Sequence, residues 1–494
     1  MSTKNKRIGG VSADAILLMF IKLVTAALGL VITRLLSEYL SLHDYGTYSQ
    51  ILLIVSALSS GTIFGMMDGV NYFYCSERDP DKRESYVATI FALQCTISAV
   101  AGGITMLCAA PICAYFANPD IKPLMIFAVI LPLLQNLLGL FQILLVSEGK
   151  ARLLAGRNFL VSAIRLIVVY VVTMTVRDVA VVLATTLVLD IAQIAIFWII
   201  LRRTGCSIRV TRINISLVAE ILKYCAPMAI YIVVNALNRD MDKYFVSAVT
   251  DTETLALYTN ASKQLPFDII MSSFCTVLIP GLTRCIAENK TREAASLYSG
   301  FLEIAYISTG ILCGAALASA PQLMKLLYSE KYMSGLSIFR IYILVDLLRF
   351  TNITLVLSAA GRTKRLMIVG LGAIVVNAVL NFVLYRILGL VGPAVATLIV
   401  TCVLGILMLH FSARILDTRL SRLFDRGYLL RFGVKSVGSV LLLWLIGKYF
   451  QDYGMPNFLS LIVIVGLHSF VMLLFVGKRL LDDMKKLNYI AKKD

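Results

Sequence analysis

The sequence predicts an all-α polytopic membrane protein of about 14 transmembrane helices, built as two six-helix lobes in parallel repeat plus two C-terminal helices. Three observations predict it. Of 494 residues, 59% are apolar and only 15% charged, against roughly 45–50% and a quarter in soluble domains. The apolar residues fall in runs near the ~20 residues that cross a bilayer as a helix. No alternating barrel-type pattern competes, so helices are the structure that satisfies the backbone in hydrocarbon. Third, Lys and Arg segregate to one side of the resulting topology.

In chain order the runs are approximately 13–36, 48–72, 86–109, 124–146, 157–176, 179–201, 223–247, 263–284, 296–320, 335–359, 365–387, 389–411, 429–450 and 456–477. The basic stretch Met1 to Gly10 precedes a run too long for a signal peptide and without a small-residue cleavage site, which predicts a retained span. With both termini cytoplasmic, the outer loops carry only Lys122, Arg177, Lys325, Lys331, Arg386 and Lys448, while the inner connections hold most of the 46 Lys and Arg residues. Removing one helix would reverse every later loop, so this split supports the helix number and the orientation together. It also explains the net charge of +17 as a topology signal that contacts anionic inner-leaflet lipids. Nucleic acid is thereby excluded as a partner.

The longest inner connections, about 202–222 and 412–428, divide the chain into residues 1–205, 206–415 and 416–494. The first two segments repeat weakly. Asp44-Tyr-Gly-Thr-Tyr48 after the first span matches Leu255-Ala-Leu-Tyr258 after the seventh, and Glu148-Gly149-Lys150 matches Ala360-Gly361-Arg362, both at an offset of about 210 positions. An even number of helices per repeat gives the lobes the same orientation, as in transporters that bind substrate between lobes and alternate access.

Ten cysteines contain no CxxC pair, and His43, His410 and His468 are scattered without metal-ligand spacing. No metal or cofactor is predicted. The loops hold no GxSxG, no phosphate-binding GxxxxGK[ST] and no acidic metal motif, and none is long enough for a catalytic domain, which argues against an enzyme.

Charges inside spans are costly, and they face protein or a water-filled cavity. Lys22 lies deep in the first span. Arg239, Asp240, Asp242 and Lys243 crowd the outgoing end of the seventh; Arg239 with Asp242 and Asp240 with Lys243 are i,i+3 pairs that can neutralise one another, or the face can gate a cavity. Lys263 and Asp268 flank Pro266 in the eighth span, which predicts a kinked helix at a site or hinge, and Pro227 predicts a similar break in the seventh. Asp346 and Arg349 can pair in the tenth, structurally or in a cavity; Gln135 and Asn136 are their uncharged counterparts in the fourth. Arg165 and Asp190 are also in spans. Asp14, Asp68, Arg34 and Lys435 lie near enough to span ends to reach the interface.

At these residues the chain resembles the polysaccharide-exporter group of the multidrug/oligosaccharidyl-lipid/polysaccharide transporter superfamily, the O-antigen-type flippases. Asp44-Tyr45-Gly46-Thr-Tyr48 is similar to that family's signature after its first helix, and Asp242-Lys243-Tyr244-Phe245 with Leu257-Tyr258 to the end of its seventh. Lys263, Tyr328-Ser-Glu330-Lys331-Tyr332, Asn377, Asn381 and Gly389-Leu-Val-Gly392-Pro393-Ala394 follow in the family's order; Ala256 and Pro393 depart from its usual Gly and Ala.

The resemblance, over roughly residues 10–415, implies a non-enzymatic flippase of undecaprenyl-diphosphate-linked oligosaccharide in the bacterial inner membrane. It would work beside polysaccharide polymerase machinery. On that reading Lys22, Arg239, Lys263, Asp346 and Arg349 bind substrate, Asp242, Asp268 and Pro266 gate or couple, and a proton or sodium gradient drives transport. The alternatives are a lipid II or peptidoglycan-type flippase, an ion-coupled drug exporter of the multidrug-and-toxin-extrusion branch, and a non-transporting structural or lipid-scrambling protein.

Overall fold

The computed structural model describes residues 3–203, 208–349 and 355–492. Among the described residues every regular element is helical. By contact the chain divides into two units, Met1–Leu257 and Tyr258–Asp494.

The first unit holds α1 (Thr3–Tyr39), α2 (Leu42–Thr62), α3 (Met66–Ser76), α4 (Pro80–Leu107), α5 (Ala109–Tyr115), α6 (Ile121–Ser147), α7 (Ala151–Thr175), α8 (Val179–Arg203), α9 (Val218–Val249) and the start of α10 (Thr252–Ala261). The second holds α11 (Asp268–Ala287), α12 (Thr291–Ala318), α13 (Ala320–Tyr328), α14 (Leu336–Leu348), α15 (Leu355–Ala359), α16 (Thr363–Leu388), α17 (Gly392–Ile415), α18 (Arg426–Asp452) and α19 (Asn457–Lys492). Among the described residues eleven stretches are long and apolar enough to cross a membrane, and one of them, Lys364–Ile415, contains both α16 and α17. The expected span 263–284 corresponds to α11. The expected span 335–359 corresponds to α14 and α15, with 350–354 outside the described residues. The protein is a multi-pass membrane protein.

Local sequence sets the helix ends. Ser41 caps α2 by accepting the Asp44 amide at 3.0 Å; Asp79 caps α4, with Pro80 at its first position, where a missing N–H costs nothing. The second apolar run is two helices rather than one. Phe64 and Gly65 both take positive φ (44° and 69°) between α2 and α3. A Cβ at position 65 would stand 2.7 Å from the Cys225 carbonyl oxygen of α9, so this turn needs glycine twice over, for its dihedral and for its space. Asn136 of α6 secures the same break, accepting from the Ser59 hydroxyl (2.7 Å) and donating to the Thr62 hydroxyl (2.9 Å). Pro227 lies within α9, which continues through it without interruption.

Among the described residues the first unit has two cores. One joins α3, α4, α6, α8 and α9 around Met66, Phe73, Ile90, Leu140, Phe141, Phe197 and Ile221; the other joins α2, α6 and α8 around Ile51, Met125, Leu131 and Leu183. In the second unit most of the apolar stretch of α12 is buried. Its Gly310-Ile-Leu-Cys-Gly314 face lets the Phe432 ring of α18 and the His468 ring of α19 approach the backbone closely. Inside a membrane, where lipid is as apolar as leucine, such small-residue packing is what holds helices together.

Candidate functional site

The charged end of α9 is built against α2 and α5 within the first unit. Asp240 is its centre. It is buried, and it accepts Lys243 Nζ at 2.6 Å on Oδ1 and Arg239 Nε at 3.2 Å on Oδ2. Arg239 also donates to the Ser56 hydroxyl of α2 at 3.2 Å. Below this group the Tyr244 hydroxyl donates to the Leu53 carbonyl (3.0 Å), and the Tyr115 hydroxyl of α5 donates to the Tyr244 carbonyl (2.8 Å).

Of the two pairs legible in the sequence, Asp240–Lys243 forms, and Arg239 turns to Asp240 as well as to Ser56. The trio keeps one positive charge, with the Arg239 side chain half exposed and Lys243 mostly buried. Asp242 is 1% exposed. Asp251, beyond the end of α9, accepts the Thr254 amide at 2.7 Å and starts α10; that bond holds its carboxyl below the usual carboxylate range.

A second group lies in the second unit. The expected kink at Pro266 is a complete break: residues 262–267 are not helical, and α11 starts at Asp268. Proline cannot donate an amide, and it pushes the preceding residue out of the helical region. Asp346 of α14, itself buried, accepts the freed Leu265 amide at 3.0 Å on Oδ2. Lys263 is exposed within the broken stretch, and its amide donates to the Asn260 carbonyl at 3.3 Å. Arg349 caps the C-terminus of α14, where its amide donates to the Val345 carbonyl. The side chain of Asp268 lies outside the described residues.

Lys22 is exposed on α1 between two exposed apolar residues, Phe20 and Leu23. Neither group described above includes it. Among the described residues no cluster of His, Cys, Asp and Glu has the makings of a metal site.

The structure adds two features that sequence reading left without a role. Arg157, Gln193, Asp190 and Arg165 form one connected chain of side chains between α7 and α8. Arg157 stands at the very edge of the expected span 157–176, whereas in the structure it is a buried residue inside α7. A basic and an acidic residue on consecutive spans were the available signal. The second feature is a cavity of about 690 Å³ lined by Tyr306 of α12, Phe424, and Leu429, Leu430, Gly433, Val434 and Val437 of α18. Its wall is almost wholly apolar.

Residues 31–337 match the family described as polysaccharide biosynthesis protein. A stretch of 145 residues is 26% identical to the probable lipid II flippase MurJ of Rhizobium meliloti (strain 1021), covering 29% of this chain and 27% of that one; the match thus spans about a quarter of that relative. Several solved structures share the fold. Lipid II flippase MurJ in an inward closed conformation superposes with a TM-score of 0.72 at 17% identity, covering 94% of this chain and 99% of its own. The inward-facing conformation of a MATE family multidrug resistance transporter of the MOP superfamily gives 0.64 at 16% identity, covering 82% and 98%. A MOP superfamily transporter from Pyrococcus furiosus gives 0.61 at 17% identity, covering 82% and 95%.

Proposed function

We propose a function from one premise: the chain belongs to the polysaccharide biosynthesis protein family. On our reading it flips undecaprenyl-diphosphate-linked oligosaccharide repeat units across the bacterial inner membrane by alternating access, without catalysing a reaction. The observation that carries this reading is the family match over residues 31–337. The MurJ-like and MATE-like fold over most of the chain supports a transporter.

The chemistry of such a substrate sets the task. A diphosphate cannot enter hydrocarbon unaided, because each buried charge loses its hydration. In our proposal Arg239, held by Asp240 beside Lys243, contacts the head group from the first unit, as does Lys22; the contacts proposed for the second unit, taken by itself, are Lys263 and Arg349. Asp242 acts as the gating or coupling acid, toward a proton or sodium gradient. The break at Pro266 acts as the hinge, with Asp268 at its helical edge and Asp346 fixing its geometry. The polyprenyl tail stays apolar throughout and lies in the cavity along α18. Both termini face the cytoplasm, anionic inner-leaflet lipids contact the basic loops, and the product passes to polymerase machinery.

The test is translocation of labelled lipid-linked oligosaccharide by the purified protein in vesicles. Wild type moves it; Lys22→Ala and Arg239→Ala slow it, by about tenfold where a charge-assisted contact of ~1.5–3 kcal/mol is lost. Normal rates in both variants would sink the cationic contacts. A second reading, a lipid II flippase, is favoured by the stretch 26% identical to a probable lipid II flippase. Movement of lipid II but not of lipid-linked oligosaccharide in the same vesicles would select it.

A further inference from the structure

The side-chain chain between α7 and α8 does not balance its charge. Arg165 donates to Asp190 Oδ1 at 2.7 Å, and Gln193 Nε2 donates to the same oxygen at 2.9 Å. The Gln193 carbonyl oxygen in turn accepts Arg157 at 2.5 Å, while the other Arg157 nitrogen donates to Asn158 Oδ1 at 2.9 Å. The Arg157 guanidinium lies over the Phe197 ring, 4.0 Å from its centroid. Two guanidiniums therefore share one carboxylate, and the hydrogen-bond partners of Arg157 are neutral amides. Arg157 and Arg165 are eight residues apart on one helix, a separation of roughly 12 Å along its axis. The uncompensated charge thus sits within apolar helices, where an isolated cation is costly.

The donor inventory points the same way. A guanidinium offers five N–H donors in a planar fork. The Nε atoms of Arg157 and Arg165 are both buried, and neither has an acceptor among the described residues. Buried donors of this kind are ordinarily satisfied, and charged ones most of all. Exposure is graded along the chain of side chains: the Arg165 side chain is 35% exposed and that of Asp190 4%. Arg165 is the member an incoming group can reach. Gln193, clamped between Arg157 and Asp190, holds the other two in place.

We propose that this network is an oxyanion-binding site, with Arg165 as the contacting residue, Arg157 as the deeper source of positive charge, and Asp190 as the internal counter-charge that tunes affinity. The ligand class is a phosphate-type anion, whose oxygens match the guanidinium fork. Two sources share that chemistry: the diphosphate of the transported lipid, which rests on the function proposed above, and the headgroup of an anionic membrane lipid.

The experiment uses the full-length protein in phosphatidylcholine nanodiscs, with inorganic pyrophosphate as probe and calorimetry and thermal unfolding as readouts. Pyrophosphate binds saturably to wild type. Arg165→Gln weakens it by at least about tenfold, the expected loss of a charge-assisted contact, and Asp190→Asn tightens it several-fold. Since Arg165→Gln alone strands a buried carboxylate, the near-isosteric pair Arg165→Gln/Asp190→Asn is measured alongside; it folds with a neutral network and loses the binding.

In phosphatidylglycerol nanodiscs, a stabilisation that needs Arg165 but no pyrophosphate supports the site and assigns it to a lipid headgroup. No Arg165-dependent response to either anion overturns the proposal, as does weaker binding in Asp190→Asn. Absence of that response in a protein that still transports lipid-linked oligosaccharide would overturn the site alone. The response in a protein that moves no lipid-linked sugar would overturn the flippase reading alone.

Discussion

At the scale of single residues, the charges in the spans were legible but their partners were not. Sequence spacing pairs Arg239 with Asp242 and Asp240 with Lys243, whereas side-chain rotation on the folded helix brings Arg239 to Asp240. Asp240 has Ser56 of α2 beside it and takes both bases. Asp346 is clearer still: spacing pairs it with Arg349, whereas the structure turns one oxygen to an amide that only the break at Pro266 sets free. Asp346→Ala removes the acceptor of a buried N–H and is expected to destabilise the second unit by about 1–3 kcal/mol; Asp346→Asn, which keeps an acceptor, costs less. Thermal unfolding in detergent measures both, and equal losses would argue against the amide contact. The signature glycine Gly46 has a physical reason that sequence could not supply, because a Cβ there would overlap the Thr252 backbone carbonyl. Gly46→Ala should lower stability by about 1–3 kcal/mol, the usual cost of overpacking.

Helices were the most legible level, since their length and apolar content follow from bilayer thickness. One internal end escaped detection and one was underestimated. Phe64-Gly65 lies within an apolar run, so hydropathy reads through it and only dihedral angles and tertiary partners show the stop; at 262–267 Pro266 signals a kink, and the structure makes it a complete break. Caps act at this scale too. Asp251→Ala removes the acceptor of the Thr254 amide at the start of α10 and should cost about 1 kcal/mol, seen as lower protection of the α10 amides in hydrogen exchange.

At the other end of the chain, Arg479 of α19 reaches Glu303 of α12 and Asp425 before α18. The Tyr428 amide, and then Arg479, hold the Asp425 carboxyl below the usual carboxylate range. Its contribution is therefore complete above roughly pH 4 and is lost as pH falls through the depressed value. Because Asp425 is largely exposed, the contribution is at most about 1 kcal/mol. In Asp425→Asn the part of the acid sensitivity of thermal unfolding that comes from this group should disappear; an unchanged pH profile would discount the contact.

For the molecule as a whole, composition and charge asymmetry were enough to reach a polytopic helical protein, and motif order pointed to polysaccharide biosynthesis, the family that residues 31–337 match. The α7–α8 network was out of reach for a definite reason. Arg157 stands at the edge of the run 157–176, where a basic residue reads as an interface contact, and Gln193, which joins it to Asp190, carries no charge to draw notice.

The turn at Gly65, pressed on Cys225 of α9, has a consequence for biosynthesis. The first unit incorporates α9, so among the described residues it closes around seven stretches long and apolar enough to cross a membrane, an odd number. A nascent chain that has released only α1–α8 still lacks the partner on which the α2–α3 turn rests, and it leaves Ile63, Phe73 and Leu140 without Ile221 and Cys225. Domains mature as units during synthesis, so packing of the amino-terminal half should wait until α9 leaves the translocation machinery. Stalled nascent chains test this: those ending after residue 257 should resist protease within the membrane, and those ending after residue 205 should be cleaved.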